Sequence, residues 1–363
     1  MNALAAEIAE IIRVEGPMPV SRYMALCLGH PRHGYYMTRD PFGQRGDFTT
    51  APEISQMFGE LIGLWAAHLW QAMGAPARVR LIELGPGRGT LMADMLRATR
   101  IAPDFRDAVS IHLVETSPVL RQRQAATLTD ADPVWHDDVA SALKGPVILV
   151  ANEFLDALPL DQFVLTAEGW RERLVGLGEN GELAFGLASG SETALSITAP
   201  VGSVLEQPSV ALDIVAQIAR HVATEGGAAL LIDYGSVRSG FGNTLQAMKQ
   251  HGFVDPLAEP GDADLTVHVD FERMGQAALK AGAALHGPVS QRDFLAALGL
   301  AQRAQALSLK ADTDQRAAIS AAFDRLTATG ETGMGELFKV LALSQRNLPP
   351  LPGFDLHRLP DQG

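Results

Sequence analysis

The chain is poor in cysteine, in basic residues and in long apolar runs, and each shortage excludes a class of protein. Cys27 is the single cysteine, so no internal disulfide can form, and no Cys and His residues stand at zinc-ligand spacing. We therefore expect a reducing compartment and no bound metal. The 42 acidic residues outnumber the 29 Lys and Arg residues, and the formal net charge of -13 argues against a nucleic-acid partner.

No apolar segment reaches the roughly 18 residues that a membrane-spanning helix needs, which predicts a soluble protein without a membrane span. The opening stretch, MNALAAEIAEIIRVEG, lacks the apolar centre of a signal peptide and the basic bias of a transit peptide. We expect it to be a helix of the mature protein, and the protein to lie in the cytoplasm of a bacterium. With 47% hydrophobic residues, the chain can bury one large core or two.

Three regions with different sequence patterns follow one another along the chain. Residues 1–75 are predicted to be helical and to contain a loop that is long for one without a function. That loop ends in Thr50-x-x-Glu53, a capping-box pattern ahead of one long amphipathic helix. Over 76–363, short apolar runs alternate with helix-length stretches, which predicts an α/β domain around a mostly parallel sheet. A hairpin pattern predicts an inserted small lobe at about 165–220.

The stretch VRLIELGPGRGTLMADML predicts a buried strand, a glycine turn and a helix, an arrangement typical of nucleotide-like ligands. Thr90 stands at the sixth position of the dinucleotide fingerprint, where Gly or Ala is usual, and no Gly-Lys-Ser or Gly-Lys-Thr is present. S-adenosylmethionine suits the turn better, because Gly85, Gly87 and Gly89 let backbone approach its methionyl part and Glu83 can interact with its ammonium group. A tight turn without a ligand stays an alternative.

Acidic and amide side chains follow three further predicted strands. Glu115 is expected to accept hydrogen bonds from the ribose of a nucleoside, and Asp137 or Asp138 one from an adenine amino group. Solvated acids are the alternative at all three positions. Asn152 and Glu153 follow the fourth strand and are expected to face the methyl acceptor, to cap the next helix, or to do both.

Other candidates lie outside these strand ends. Asp47, Phe48 and Thr49 form a candidate lid, or else a helix entry with Phe48 as a hydrophobic staple. Tyr234 follows another predicted strand. His268 is either a proton acceptor or a hydrogen-bonded core histidine, the second being the commoner case.

Seven motifs follow one another along nearly the whole chain: HGYY, GDFTTAPEISQMFGELIG, IELGPGRGTLMADMLR, VETSP, ANEFLDALP, LLIDYG and DLTVHVDF. In this order they resemble the motifs of the MidA family of S-adenosylmethionine-dependent methyltransferases, which is related to a mitochondrial assembly factor of respiratory complex I. The resemblance implies a Rossmann-like class I methyltransferase fold, with seven strands of which the last is antiparallel. It also implies symmetric methylation of an arginine in the complex I subunit that helps to line the quinone site.

These considerations together define the expected site. The donor residues are Glu83, Gly85, Pro86, Gly87, Gly89, Glu115, Asp137 and Asp138, with Asp47, Phe48 and Thr49 from the candidate lid. The catalytic residues are Asn152, Glu153 and Asp156, and the acceptor-binding residues are Glu153, Asp156, Tyr234 and His268. Because the double-glutamate loop of ordinary arginine methyltransferases is absent, the choice of Glu153 and Asp156 as the guanidinium clamp is a hypothesis. Methylation of a small-molecule oxygen or nitrogen, a non-catalytic assembly chaperone and a homo-oligomer stay open.

Overall fold

The computed structural model describes residues 2–38, 50–330 and 333–354. The candidate lid residues Asp47, Phe48 and Thr49 lie outside these ranges. The described residues form two compact units that are discontinuous in sequence. The first contains 2–38, 155–213 and 238–268, and the second contains the remaining described residues. The division into an N-terminal region at 1–75 and an inserted lobe at about 165–220 stays a prediction.

The helices of the described residues are α1 (Ala3–Glu15), α2 (Val20–Gly29), α3 (Tyr35–Thr38), α4 (Ala51–Ile54), α5 (Gln56–Ala72), α6 (Thr90–Ala98), α7 (Pro103–Ala108), α8 (Pro118–Thr127), α9 (Val139–Ala142), α10 (Ser209–Glu225), α11 (Phe271–Lys280), α12 (Gln291–Ala297), α13 (Leu300–Ser308), α14 (Thr313–Thr327) and α15 (Met334–Leu337), with one 3-10 turn at Thr99–Ile101. None of these helices is long and apolar enough to cross a membrane.

The strands of the described residues are β1 (Met18–Pro19), β2 (Val79–Leu84), β3 (Val109–Val114), β4 (Val134–His136), β5 (Val147–Asn152), β6 (Asp161–Thr166), β7 (Gly169–Leu177), β8 (Leu183–Leu187), β9 (Val204–Gln207), β10 (Gly227–Ser236), β11 (Gln246–Lys249), β12 (Gly252–Val254), β13 (Asp264–Thr266), β14 (Val269–Asp270), β15 (Ala284–Ser290) and β16 (Phe338–Ser344).

The second unit is built around a seven-stranded sheet in the order β15-β16-β10-β5-β2-β3-β4, and the two-residue β14 pairs with β10. Neighbouring strands from β4 to β10 are parallel, whereas β16 is antiparallel to both β10 and β15. Every residue of β5 is buried, as expected for a strand covered on both faces. The predicted class I fold, with its last strand antiparallel, is therefore confirmed.

Two glycines of α5 allow it to pack closely on α6. A Cβ atom at Gly59 would lie 2.6 Å from Asp94 Cβ, and one at Gly63 would lie 2.6 Å from Met95 Cα. Either atom would force the helices apart, because contacts this short do not occur between real side chains. Since α6 follows the glycine turn directly, the position of this turn depends on how α5 packs.

An ion pair network ties the same helices to α13. Glu60 of α5 is only 4% exposed and accepts hydrogen bonds from Arg303 Nε at 2.7 Å and Nη2 at 2.9 Å. Arg97 of α6 donates to the same carboxylate at 3.2 Å. A buried carboxylate needs such partners, because desolvation without them is costly.

The prediction of one capped helix from Thr50 onward is wrong. Thr50 makes no capping bond through its side chain, and the helix stops at Ile54. Ser55 is extended, with φ -161°, and its side chain accepts the Met57 N–H at 3.2 Å, so it begins a second helix. The Glu53 side chain does not complete a capping box, because its Oε1 accepts a hydrogen bond from Thr90 of α6.

The first unit has its own core and two antiparallel sheets. One sheet has the order β1-β7-β6-β9 with β8 paired to β7, and the other has the order β12-β11-β13. The predicted hairpin at 170–189 is confirmed, because β7 and β8 pair antiparallel across the turn between them. The apolar faces of α1 and α2 supply much of this core. Cys27 is buried in it, as predicted, and burial raises the pKa of its thiol to about 12.

Candidate functional site

The carboxyl ends of four parallel strands meet at one edge of the second unit's sheet. The chain runs from β2 outward to β3 and β4, and then returns to β5 on the other side of β2. The strand order therefore reverses between β2 and β5, which is where open parallel sheets bind ligands. The glycine turn, Glu115 and the Asn152–Glu153 pair lie at these strand ends.

The glycine turn between β2 and α6 has a backbone that other residues would adopt only with strain. Gly85, Gly87 and Gly89 have φ values of 58°, 52° and 81°. A Cβ atom at Gly85 would lie 3.1 Å from Phe154 Cδ2, so a side chain there would also be crowded. The Gly89 N–H donates to the Pro86 carbonyl at 2.7 Å and closes the turn. Gly85 is exposed and Gly87 partly so, and at both positions the turn presents backbone without a side chain.

Glu83 lies within β2 below this turn and is 3% exposed. Its carboxylate accepts the Met92 N–H, in the first turn of α6, where the N-cap residue Gly89 has no side chain to do so. The other oxygen, Oε2, is buried and has no hydrogen-bond partner among the described residues. Burial raises the pKa of Glu83 to about 8, although the Met92 bond acts in the opposite direction.

Glu115 follows β3 and is 8% exposed. Its carboxylate accepts the Ser117 N–H at 2.8 Å and the Gln124 Nε2–H at 3.2 Å. The same Gln124 amide donates to the Gly87 carbonyl at 2.8 Å and accepts the Trp135 Nε1–H at 2.8 Å. One side chain therefore fixes the carboxylate relative to the glycine turn. Burial raises the pKa of Glu115, and its hydrogen bonds counteract that effect.

Asp137 and Asp138, after β4, have local partners. Asp137 is exposed and forms an ion pair with Arg121 at 2.6 Å. Asp138 is the N-cap of α9 and accepts the Ser141 N–H at 2.9 Å. Their predicted contact with adenine stays a prediction.

Asn152 and Glu153 stand together where β5 ends. Glu153 has φ 52°, a left-handed conformation that non-glycine residues rarely adopt and that is often found at functional sites. Its Oε1 accepts the Asn152 Nδ2–H at 3.0 Å and the Ala51 N–H at 3.3 Å. Asn152 Oδ1 is buried without a hydrogen-bond partner among the described residues. The expected N-cap role is absent, because no helix follows this pair directly.

Asp233 supports this strand end from β10. It is 1% exposed, and its carboxylate accepts the Phe154 N–H at 3.2 Å and the Tyr234 N–H at 2.9 Å. Tyr234 itself lies within β10, and its ring contacts Phe338 edge-on with centroids 5.5 Å apart.

The other two predicted acceptor residues belong to the first unit. Asp156 is buried, and its carbonyl accepts the Val267 N–H at 3.0 Å. His268 is exposed, and its backbone N–H donates to Thr244 Oγ1 at 3.0 Å. The interpretation of His268 as a core histidine is therefore wrong.

Sequence reasoning missed Gln124 and Asp233 as supporting residues of the site, and it misassigned Glu53. Gln124 lies in an otherwise ordinary helix, and no local pattern marks it. Asp233 could have been suspected, since a charged residue within the apolar run AALLIDYG must find partners when buried.

Comparison with known proteins gives consistent matches. The model of a family described as S-adenosyl-L-methionine-dependent methyltransferases matches residues 61–289. The mitochondrial protein arginine methyltransferase NDUFAF7 homolog of Drosophila melanogaster is 36% identical over 379 residues, covering 94% of this chain and 85% of that protein. Its human counterpart, protein arginine methyltransferase NDUFAF7, is also 36% identical, over 92% of this chain and 81% of its own. A COG1565 superfamily crystal structure from Burkholderia thailandensis, bound to S-adenosyl-homocysteine, is 32% identical with a TM-score of 0.86, covering 97% of this chain and 94% of its own.

Proposed function

The chain belongs to the family of S-adenosylmethionine-dependent methyltransferases, and from this premise we propose that it methylates an arginine side chain of a protein substrate. The curated relatives are named protein arginine methyltransferases, which supports this acceptor. The observation that carries the proposal is the position of two carboxylates, Glu115 and Glu153, at strand ends on either side of the glycine turn. One carboxylate suits a ribose and the other a cation.

The donor side fits S-adenosylmethionine, which supplies an activated methyl group on a sulfonium when bound. Gly85, Gly87 and Gly89 have no side chains and adopt φ values of 58°, 52° and 81°, so their backbone can approach the methionyl part. An ionised carboxylate has about four acceptor positions, and the Glu115 side chain uses three for Ser117, Gln124 and Thr116. A ribose hydroxyl can take the remaining position. Glu83 Oε2 would accept from the donor's ammonium group.

The acceptor side fits a guanidinium. The Asn152 amide and the Ala51 N–H fix Oε1 of Glu153 before the substrate binds. A preorganised carboxylate binds a guanidinium by charge-assisted hydrogen bonds and aligns one nitrogen for attack. Glu153 would then hold the proton that this nitrogen loses, and Asn152 Oδ1 would accept a second N–H. Methyl transfer needs little more from the protein, because positioning supplies most of the rate.

The wider assignments belong to the same proposal. Asp137 or Asp138 would contact adenine, and Asp156, Tyr234 and His268 would contact the acceptor. The proposed acceptor protein is a quinone-module subunit of complex I, as the resemblance to the MidA family implies. The curated relatives are mitochondrial. For this chain we propose the bacterial cytoplasm; a Burkholderia thailandensis protein is among the proteins with a similar structure.

The test combines donor binding with methyl transfer. Full-length protein would be titrated calorimetrically with S-adenosylmethionine, S-adenosylhomocysteine and NAD. It would also be incubated with methyl-labelled S-adenosylmethionine and the purified quinone-module subunit, followed by mass spectrometry for symmetric dimethylarginine. Glu115→Ala should weaken binding of both sulfur nucleosides. Glu153→Gln should lower the rate about 100-fold while their Kd stays unchanged.

Each alternative gives a different result. Labelling of small molecules without labelling of any protein would favour a small-molecule methyltransferase. Donor binding without methyl transfer to a protein or to a small molecule would favour an assembly chaperone that retains the fold. Binding of NAD in place of the sulfur nucleosides would overturn the proposal.

A further inference from the structure

Glu53, at the end of the four-residue helix α4, contacts the turn of the donor site. Its Oε1 accepts a hydrogen bond from the Thr90 hydroxyl at 2.6 Å. Thr90 is the first residue of α6 and follows Gly89 directly. This bond is charge-assisted and short, so it belongs to the stronger class of hydrogen bonds.

The second carboxylate oxygen of Glu53 lies near Arg88, the residue that precedes Gly89. Oε2 lies 3.8 Å from Nη1 of Arg88, which precedes Gly89 within the turn. The side chain of Glu53 is 18% exposed and that of Arg88 is 34% exposed, so water screens this pair only in part. One carboxylate therefore contacts both neighbours of Gly89, a residue whose φ of 81° the turn requires.

The opposite end of α4 reaches the acceptor side. The Ala51 N–H, in the first turn of the helix, donates to Glu153 Oε1 at 3.3 Å. A single helical turn thus contacts the donor turn through the Glu53 side chain and the acceptor carboxylate through the Ala51 N–H. A displacement of α4 would disturb both.

We propose that Glu53 is a positioning residue that fixes the glycine turn for the methyl donor and, through α4, holds the Glu153 carboxylate in place. This inference rests on the proposed function, because it names a residue that organises the same site. A positioning residue acts through its neighbours and not on the reacting groups themselves. Its effect reaches the donor through Thr90 and Arg88, and reaches the acceptor through Ala51.

The first experiment measures the Kd of S-adenosylhomocysteine calorimetrically for full-length variants. We expect Glu53→Ala and Thr90→Val each to raise this Kd about tenfold, since each removes one charge-assisted hydrogen bond. Thr90→Ser keeps the hydroxyl and should restore most of the affinity. The double variant should bind about as well as Glu53→Ala alone, because Thr90→Val removes only the bond that Glu53→Ala already breaks. Glu259→Gln, which removes a surface carboxylate paired with Lys249, is the matched control.

The second experiment separates positioning from general stability. Steady-state methyl transfer should show a KM for the donor raised by about the same factor as the Kd, and a melting temperature close to that of Glu259→Gln. A folded Glu53→Ala with an unchanged Kd, or effects that multiply in the double variant, would overturn the inference. Should Glu53→Ala fail to fold, Thr90→Val and Thr90→Ser decide alone.

The two proposals fail in different ways. Wild-type protein that binds no S-adenosylhomocysteine would overturn the proposed function, and the inference with it. Wild-type protein that binds normally, while Thr90→Val binds equally well, would overturn the inference alone.

Discussion

Replacing Glu83 by glutamine should make the protein more stable at alkaline pH and weaken its donor binding. Burial raises the pKa of this carboxyl from 4.5 to about 8 in the folded protein. Between these values the folded state holds a proton that the unfolded state has lost, so the stability that this group contributes is full below pH 4.5 and falls as the pH rises to 8. Glutamine cannot ionise, yet its carbonyl can still accept the Met92 N–H.

The size of the effect follows from the two pKa values. At about 1.4 kcal/mol per pH unit, the rise corresponds to an upper limit of about 5 kcal/mol. Glu83 is 3% exposed, so screening by water reduces this little. The free energy of unfolding would be measured by urea titration from pH 5 to pH 9 for both proteins. We expect similar stability of the two proteins near pH 5 and an advantage of the variant that grows up to about pH 8 and then levels off.

Other groups titrate alike in both proteins, so the difference between the two curves isolates Glu83. Parallel curves over the whole range would refute the argument that this carboxyl is neutral because it is buried. The same preparations would be titrated with S-adenosylmethionine at neutral pH. A bound ammonium group favours the ionised form of Glu83, so we expect about tenfold weaker binding to the glutamine variant, which cannot ionise. An unchanged affinity would remove Glu83 from the donor site.

Three further predictions concern other parts of the second unit. Gly85→Ala should weaken S-adenosylhomocysteine binding about tenfold, because the φ of 58° at this position is unfavourable for alanine and Phe154 Cδ2 would lie 3.1 Å from the new Cβ. An unchanged Kd by calorimetry would contradict this prediction. Burial lowers the pKa of His112 to about 4, so the wild-type protein should lose about 3 kcal/mol of stability as the pH falls from 6.5 to 4, whereas His112→Gln should not. Equal losses for the two proteins, in urea titrations at pH 7 and pH 4.5, would refute this prediction. Arg303→Met should cost about 2 kcal/mol, since it leaves the buried Glu60 with fewer partners; an unchanged urea midpoint would show that the pair is energetically neutral.

The sheet of the second unit could be predicted because parallel strands buried on both faces leave a strong signal. Apolar runs such as β5 and β10 have no polar face, and glycine or acidic residues mark where they end. The predicted strand ends therefore placed Glu115, Asn152 and Glu153 correctly at the same edge of the sheet as the glycine turn. Local patterns suffice where function depends on the ends of regular elements.

Contacts between elements distant in sequence could not be predicted in this way. Thr50 and Glu53 match a capping box, yet Glu53 bonds to Thr90, 37 residues away, and Ser55 begins the long helix instead. A charge-assisted bond to a hydroxyl outweighed a local bond to the backbone. Gln124 is hidden for a similar reason, since its three partners come from the glycine turn, Glu115 and Trp135.

The position of β16 also determines the order in which this sheet can be completed during synthesis. β10 and β15 leave the ribosome first, yet neither pairs with the other, because the later-made strand lies between them and bonds to both. Until residues 338–344 have emerged, the nascent chain carries two unpaired apolar strand edges that invite association with other chains. We therefore expect a nascent chain stalled before β16 to require a chaperone, although the glycine turn and its neighbouring strands have already been made.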